Sequence, residues 1–355
     1  MRKKVLFFTA KELSNVGGGE RVLAVLASGL SEKYDITVLT PYVSKSYYSF
    51  GGGIKVDSLN LSKSKGFFAR KFQLIAAIVR LWSYLRKANF DKIVVTHSMA
   101  VVLTSFVTWK KDERLIAWIH QSYYQKDFFI LRWFYLHSLS KFMVVATNTM
   151  DVDEYKKITD RVCFINNPLS FHIDVKSTTD RKRLISVGRL SRDKGFDFLI
   201  KICSKVFRQN KEWVLDIYGQ DDGEKQKCLD LIKSEGMEGR INILEPVRNI
   251  HDEMVSSSVF VFCSLIECFG LVLLEACECG LPCVAFNSPS GIRDIVKDGY
   301  NGYLVDMYDC EQFMKSVLKL IEDDELRRKM GKNATEFASQ FTDKKILTQW
   351  YDLLG

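Results

Sequence analysis

The sequence contains neither a long apolar run nor regularly paired cysteines. Its 355 residues include no uninterrupted apolar segment of membrane-spanning length. The apolar part of the start, MRKKVLFFTA, is only about five residues long, so we expect a first β-strand there rather than a secretory signal. The nine cysteines lack the spacing of a disulfide framework. We therefore expect reduced thiols in a cytosolic protein.

Metal ligands are also scarce. A zinc site formed by Cys268, Cys277, Cys279 and Cys283 is the one candidate, but no CxxC pair is present. These cysteines follow the apolar pattern of a helix and a strand, which favours small apolar residues over ligands. No DxD motif falls in a loop suited to a divalent ion. We expect no metal and no cofactor.

Acidic residues are missing from one long stretch of the chain. Residues 1–174 hold 25 Lys and Arg against 14 Asp and Glu, a net charge of +11, whereas residues 175–355 carry −3. No acid occurs between Asp57 and Asp91. Basic residues do occur there: Lys63, Lys65, Arg70, Lys71, Arg80, Arg86 and Lys87.

The same stretch is typical of an amphipathic helix. Phe68, Phe72, Ile75, Val79 and Trp82 recur at three- and four-residue steps. One interpretation is contact of residues 63–87 with an anionic membrane surface, on the inner face of the cell membrane. The other is a helix that faces the core and carries a solvated basic rim. We do not expect nucleic acid as a partner, because no recognised binding motif accompanies the charge.

Strand-like and helix-like segments alternate along the chain, which predicts parallel sheets covered by helices. The polar stretch from Asp174 to Arg183 interrupts the alternation and is the best linker candidate. We therefore predict an α/β protein of two Rossmann-like doubly wound domains facing a cleft. The predicted bounds are 1–174 and 175–340, with a C-terminal helix over 341–355 that packs back on the first domain.

The stretch from Ser264 to Ala285 is the most informative. The run VFVF predicts a buried strand, and LVLLEACECG predicts a helix that starts near Gly270. Glu267 then lies in the strand-to-helix loop and Glu275 inside the helix. Open α/β sheets bind ligands at this end of their strands, and free N–H groups at a helix start favour anions.

Other segments are also candidates for binding or chemistry. Gly17, Gly18 and Gly19 precede a helix, as in anion-binding loops, although many glycine loops only turn the chain. Arg189 and Lys194 follow a strand and precede a helix, which suits a diphosphate leaving group, unless they are a surface basic pair.

His120 ends a strand of the first domain. An imidazole there could orient a hydroxyl or stabilise charge, and a structural hydrogen-bonded histidine is the alternative. His97 also ends a strand and is a weaker candidate. Ser290 and Gly291 belong to a loop of small residues before Asp294.

Together these segments resemble the retaining GT-B glycosyltransferases of family 4, which use nucleotide sugars. ECFGLVLLEACECGLPCVA resembles the E-x7-E signature of that family, and VGRLSRDKGFD resembles its diphosphate-binding segment. GGGERV resembles its N-terminal glycine loop. SPSGIRDIVKDGYNGYLV resembles a loop of many bacterial polysaccharide members. The resemblance covers nearly the whole chain and implies two Rossmann-like domains.

The resemblance also implies roles for matching residues in the second domain. Arg189 and Lys194 would neutralise the diphosphate, and Glu275 would hold the ribose hydroxyls. Glu267 would hold the donor sugar and phosphate, together with the backbone at Phe269 and Gly270.

Further roles are implied elsewhere. His120 would lie near the reacting sugar, and Gly18 and Gly19 near the phosphates or the acceptor. Pro246 and Val247 would flank the nucleotide base. Two positions depart from the family pattern: Cys268 stands where many members have glycine, and Asp294 stands where glutamate is usual.

The implied activity is retaining transfer of a sugar from a nucleoside diphosphate sugar, with UDP favoured, to an acceptor hydroxyl. A lipid-linked glycan of O-antigen or capsule synthesis is the expected acceptor. A sugar-nucleotide epimerase of the same fold is the alternative, and a binding protein without catalytic activity is a third.

Overall fold

A computed structural model describes residues 2–14, 17–62, 67–108, 112–124, 129–289 and 291–355. Lys63, Lys65 and Ser290 lie outside the described residues, and the side chains of residues 67–71, 129 and 130 are not described. The chain divides into two compact units, Met1–Ser170 with Asp343–Gly355, and Phe171–Thr342. The predicted divisions fall after residues 174 and 340.

The first unit is built on a seven-stranded parallel sheet with the order β3-β2-β1-β4-β5-β6-β7. Its inner strands are largely apolar because helices cover both faces of the sheet, whereas the edge strand β3 is polar. The elements in chain order are β1 (Lys4–Phe8), α1 (Gly18–Leu30), β2 (Asp35–Thr40), β3 (Lys55–Ser58), α2 (Phe67–Lys87), β4 (Lys92–Val95), α3 (Ser98–Val107), β5 (Leu115–Trp118), α4 (Phe129–Leu139), β6 (Met143–Ala146), α5 (Thr149–Lys156) and β7 (Val162–Phe164).

The strand order of this sheet reverses direction between β1 and β4. Val5 pairs with Ile36 of β2 on one side and with Lys92 of β4 on the other. The loops that follow these two strands leave on opposite faces of the sheet, which opens a crevice at their carboxyl ends. The start of α1 follows β1 at this crevice.

The second unit repeats the plan with a six-stranded parallel sheet of order β10-β9-β8-β11-β12-β13. Its direction reverses between β8 and β11, which pair in parallel. The prediction of two doubly wound α/β domains is confirmed. The elements are β8 (Arg183–Val187), α6 (Phe196–Gln209), β9 (Val214–Tyr218), α7 (Lys225–Ser234), β10 (Ile241–Leu244), α8 (Ile250–Val255), β11 (Val259–Phe262), α9 (Leu271–Glu278), β12 (Cys283–Phe286), α10 (Ile292–Ile295), β13 (Gly302–Val305), α11 (Cys310–Glu322) and α12 (Asp324–Ala338).

The last helix, α13 (Asp343–Leu354), belongs to the first unit. Trp350 is fully buried, and its ring lies 5.1 Å from that of Trp118 and 6.4 Å from that of Phe7. A side chain at Gly29 of α1 would lie 2.6 Å from Leu347, so the two helices cross at a glycine. The C-terminal residues thus complete the core of a sheet that begins at residue 4.

The apolar stripe predicted on α2 points away from the core. Phe72, Ile75, Val79 and Trp82 are exposed, and the same helix buries Ala77 and Leu81 instead. The core-facing interpretation of this stripe is therefore wrong for its described residues.

The described residues also show the state of the cysteines, of possible metal ligands and of possible membrane-spanning helices. All nine cysteines are free thiols. Cys277 and Cys283 are buried with their Sγ atoms 3.9 Å apart. Within the described residues, no group of three or more His, Cys, Asp or Glu side chains is arranged to hold a metal ion, and no helix has the length and apolarity needed to cross a membrane.

Trp350 gives a test of the C-terminal closure. Replacing Trp350 with alanine removes a large side chain from between two aromatic rings, so the free energy of unfolding should fall by about 3–5 kcal/mol. Urea denaturation followed by circular dichroism measures this loss. The exposed neighbour Gln349, changed to alanine, is the control and should unfold almost as the parent does. Equal stability of the two variants would show that α13 does not support the first unit.

Candidate active site

Two loops of the second unit meet where its strand order reverses. Lys194 lies in a short 3-10 turn after β8, and Glu267 lies in the loop after β11. The Lys194 Nζ atom is 2.5 Å from Oε1 of Glu267, and the two side chains are 14% and 16% exposed. Partial burial strengthens the attraction relative to a solvent-exposed pair. The structure therefore brings together two of the residues that the sequence analysis selected.

Hydrogen bonds fix the two loops against each other. The Leu265 N–H donates to the carbonyl of Asp193 over 2.7 Å, and the Ser264 hydroxyl donates to Oε1 of Glu267 over 3.2 Å. Gly195 has a φ of 63° and lies so close to Cys263 that a Cβ atom would come within 2.2 Å of its carbonyl oxygen. Only glycine meets both requirements. This close approach places the Lys194 turn beside the Glu267 loop.

Arg189 lies on the same loop as Lys194 but has a different partner. Its guanidinium donates to Oδ2 of Asp222 over 2.7 Å, and its side chain is 60% exposed. A Cβ atom at Gly219 would come within 1.8 Å of the Gly188 carbonyl oxygen, so the loops after β8 and β9 also touch. Arg189 is thus held at the edge of the crevice by an ion pair that is exposed to solvent.

The residues around the start of α9 lie where the sequence placed them. Gly270, with a φ of 83°, precedes the helix, whose first backbone N–H groups have no partner within the helix. Phe269 is buried, with its ring 6.1 Å from that of Phe341. Glu275 lies in α9 and is only 1% exposed. The helix start therefore offers N–H groups to an anion beside Glu267.

Pro246 and Val247 follow β10, the edge strand of this sheet. Both are exposed. They leave the sheet at the same carboxyl end as the loops of Lys194 and Glu267, since all the strands are parallel. Beside them Lys225 and Glu245 form an ion pair with an N···O distance of 2.5 Å.

The first unit gathers a second set of predicted residues. Gly18 and Gly19 form the first turn of α1, and a Cβ atom at Gly19 would lie 4.0 Å from the ring of His120. His120 follows β5, and its ring stands edge-on to Trp118 with centroids 4.2 Å apart. The glycine turn and the histidine are thus in direct proximity within this unit.

His120 is held in its neutral form. Burial, followed by the positive charge of Lys11 and by His97, lowers the pKa of His120 to about 3. Burial and Lys11 also lower the pKa of His97 to about 4. Nδ1 of His97 accepts a hydrogen bond from the Met99 N–H over 3.3 Å, which makes His97 the cap of α3. Nε2 of His120 is buried and has no hydrogen-bond partner among the described residues, so its hydrogen-bonding capacity is unused there.

Several residues of these two sets were not predicted from the sequence. Lys11 acts electrostatically on His120, and Asp222 pairs with Arg189, but neither residue belongs to a recognisable sequence motif. Glu20 is buried, and its Oε2 lies 2.2 Å from where a Cβ atom of Gly17 would be. Gly17 is the N-cap of α1 and Glu20 is its third residue. This spacing could have predicted the contact, because a carboxylate at the third position of a helix folds back over the cap.

Two family models match the two units. The model described as Glycosyl transferases group 1 matches residues 171–337, and the model described as Glycosyltransferase Family 4 matches residues 16–169. The second match includes Gly18, Gly19 and His120. The first includes Arg189, Lys194, Glu267 and Glu275.

Proteins of similar sequence match nearly the whole length of this chain. The amylovoran biosynthesis glycosyltransferase AmsD of Erwinia amylovora is 27% identical over 97% of this chain and 97% of its own length. The Campylobacter jejuni α-1,4-N-acetyl-D-galactosaminyltransferase that acts on a GalNAc-GalNAc-diNAcBac-PP-undecaprenol is 23% identical over 96% of each chain.

Among solved structures, HepE of Anabaena in complex with UDP superimposes with a TM-score of 0.80 at 20% identity, covering 99% of both chains. This likeness concerns the fold, which is that of the GT-B enzymes. Matches to both domain families, full-length relatives and the GT-B fold all agree with the resemblance noted in the sequence. The chain therefore belongs to the family 4 glycosyltransferases of the GT-B fold, of the type found in bacterial polysaccharide synthesis.

Proposed function

We propose that the protein transfers a sugar, with retention of anomeric configuration, from a UDP-sugar to a hydroxyl of a lipid-linked glycan during O-antigen or capsule synthesis. The observation that carries this proposal is the Lys194–Glu267 pair beside the start of α9. A cation, a carboxylate and free N–H groups together match the diphosphate and the sugar hydroxyls of such a donor.

Each residue of the second unit has a defined part in this proposal. Lys194 and Arg189 neutralise the diphosphate as it leaves, and the N–H groups at Phe269 and Gly270 bind its oxygens. Glu267, released from Lys194, accepts hydrogen bonds from the donor sugar. Glu275 holds the ribose hydroxyls, and Pro246 and Val247 flank the uracil. These groups supply the charge that a divalent ion would otherwise bring, so no metal or cofactor takes part.

The first unit contributes His120 and the glycine turn. A neutral imidazole donates or accepts a hydrogen bond to a hydroxyl of the reacting sugar without repelling the cationic character that develops at its anomeric carbon. Gly18 and Gly19 lie close to this histidine and leave room for phosphate or acceptor atoms.

We infer retention from the resemblance to the retaining family 4 enzymes, and the role given to Glu267 favours one route to it. A carboxylate that binds the donor sugar is not placed to act as a nucleophile, which favours attack on the same face as the departing phosphate over a double displacement. The leaving phosphate oxygen then accepts the proton of the acceptor hydroxyl. The new glycosidic bond forms as the bond to the diphosphate breaks, and UDP is released.

The relatives support the choice of substrates. HepE has been crystallised with UDP, and the Campylobacter jejuni relative is named for an undecaprenyl-diphosphate-linked acceptor. The AmsD relative is named for amylovoran biosynthesis. A cytoplasmic enzyme at the inner face of the membrane fits such an acceptor, since the nucleotide sugar and the lipid meet there.

Nuclear magnetic resonance of the product tests the proposal. UDP-sugars incubated with a lipid-diphosphate glycan should give a glycoside whose anomeric coupling matches that of the donor. The opposite coupling would reject retention while leaving transfer intact. An epimerase would instead convert the sugar nucleotide without any acceptor, so product analysis of the donor alone separates the two activities.

Lys194 is the most direct mutational test. Lys194→Ala should lower kcat by about 100-fold or more, because the departing diphosphate loses its buried cation. The change also leaves Glu267 unpaired, so the double variant Lys194→Ala/Glu267→Gln removes that charge and should regain stability without regaining turnover. Lys201→Ala, an exposed lysine of α6, is the matched control and should remain active. Near-normal turnover of Lys194→Ala would reject the assignment.

The histidines of the first unit predict a pH dependence of stability. The folded-state pKa values of His120 and His97, about 3 and about 4, lie below the unfolded value of about 6.5. The unfolded chain therefore takes up more protons as the pH falls below 6.5, and the free energy of unfolding should decrease from there towards pH 4.

His120→Asn removes one of these two histidines. The free energy of unfolding of this variant should therefore fall less steeply between pH 6.5 and pH 4. Denaturant unfolding at pH 4.5, 5.5, 6.5 and 8 measures it, and pH 8 is the internal reference because imidazole is neutral in both states there. A variant whose stability falls as steeply as the parent's would show that His120 is not kept neutral by the fold.

A further inference from the structure

An apolar stripe of α2 lies open on the surface of the first unit. Phe72, Ile75, Val79 and Trp82 follow one another at helical spacing and are 47–71% exposed. The helix meets its own core with Ala77 and Leu81 on the other side. A surface helix of a soluble protein normally has polar residues on its outer face, so this exposed apolar stripe indicates a binding surface.

The neighbouring helices extend the apolar surface. Phe106 of α3 and Phe134 of α4 have ring centroids 6.1 Å apart, and the Trp133 ring is 5.1 Å from that of Phe134. All three side chains are exposed. Because α3 packs against both α2 and α4, the three helices form one layer on the same face of the sheet. We name the exposed apolar side chains of this layer the α2–α4 surface.

Positive charge accompanies this surface. No acidic residue occurs between Asp57 and Asp91. The Arg86 guanidinium lies 4.7 Å from the centroid of the Trp82 ring, and Lys87 beside it is exposed. Cationic side chains next to exposed aromatic and aliphatic ones are the composition of helices that lie in a membrane interface. The two tryptophans, Trp82 and Trp133, suit the headgroup level.

We propose that the α2–α4 surface binds an anionic phospholipid bilayer, with the apolar stripe of α2 inserted among the headgroups and the basic residues paired with lipid phosphates. This rests on the proposed function only in explaining how the enzyme meets a lipid-linked acceptor. Binding itself requires neither donor nor acceptor. A second copy of the chain fits this surface less well, because the two acid-free basic helices would repel each other.

Flotation with liposomes tests the surface directly. The full-length protein should float with vesicles of phosphatidylglycerol and phosphatidylethanolamine and remain at the bottom with phosphatidylcholine alone. Ile75→Gln/Trp82→Gln should weaken binding to the anionic vesicles by about tenfold or more, because two inserted side chains are lost. Leu229→Gln, which changes an exposed leucine of α7 in the second unit, is the control and should bind as the parent does.

A second pair of variants tests the charge. Arg86→Gln/Lys87→Gln should also weaken binding by about tenfold or more, since each basic residue near an anionic surface contributes to affinity. Lys201→Gln/Lys205→Gln removes the same charge from exposed lysines of α6 and should have little effect. Equal binding to anionic and neutral vesicles, or equal effects of the two pairs, would overturn the electrostatic part of the proposal.

Two further measurements separate the other outcomes. Sedimentation without lipid tests whether the surface is instead an interface between copies of the chain. A dimer of the parent protein that dissociates in the Ile75→Gln/Trp82→Gln variant would overturn the proposal. Flotation without sugar transfer would reject the enzymatic proposal alone. Transfer to a water-soluble acceptor without flotation would reject the membrane proposal alone.

Discussion

The ion pair between Lys194 and Glu267 joins two loops that are 73 residues apart in sequence. It forms where the strand order of the second sheet reverses, which is the place where an open parallel sheet leaves room for a ligand. Both groups are largely removed from solvent, so neither charge is stable there without the other. Gly195 allows the approach that the pair requires. A ligand that separates the two side chains must therefore supply an anionic group to Lys194 and a hydrogen-bond donor to Glu267 at the same time.

The first unit has a similar sheet but a different electrostatic environment at the carboxyl ends of its strands. Burial and the nearby Lys11 disfavour protonation of His120 and His97, so the carboxyl ends of β4 and β5 carry neutral rings. Trp118 packs on His120, and Trp350 packs on Trp118. The position of a candidate binding residue thus depends on a side chain from the far end of the sequence. One unit presents paired charges, and the other presents an uncharged hydrogen-bonding group.

The sequence allowed the architecture to be predicted because its strands are buried on both faces. VFVF became β11 with the predicted bounds, and the loop and helix after it carry Glu267 and Glu275 as expected. Contacts between distant loops could not be predicted. Nothing in the sequence pairs Arg189 with Asp222, or places Lys11 near two histidines. Periodicity revealed the stripe on α2 but not its direction. The core contact is made by a different face of the helix, with Ala77 and Leu81 buried and Ile78, Tyr84 and Leu85 partly buried against the core.

The return of α13 to the first unit has a consequence for synthesis on the ribosome. The sheet that begins at β1 lacks one of its covering helices, α13, until residues 343–355 have emerged, after the second unit has been made in full. During that interval the surfaces of Phe7 and Trp118 that Trp350 later covers are open. The second unit, which is continuous in sequence, can fold during this time. The first unit is therefore completed after the second unit has been made, and Trp118, on which His120 packs, gains its contact with Trp350 only then.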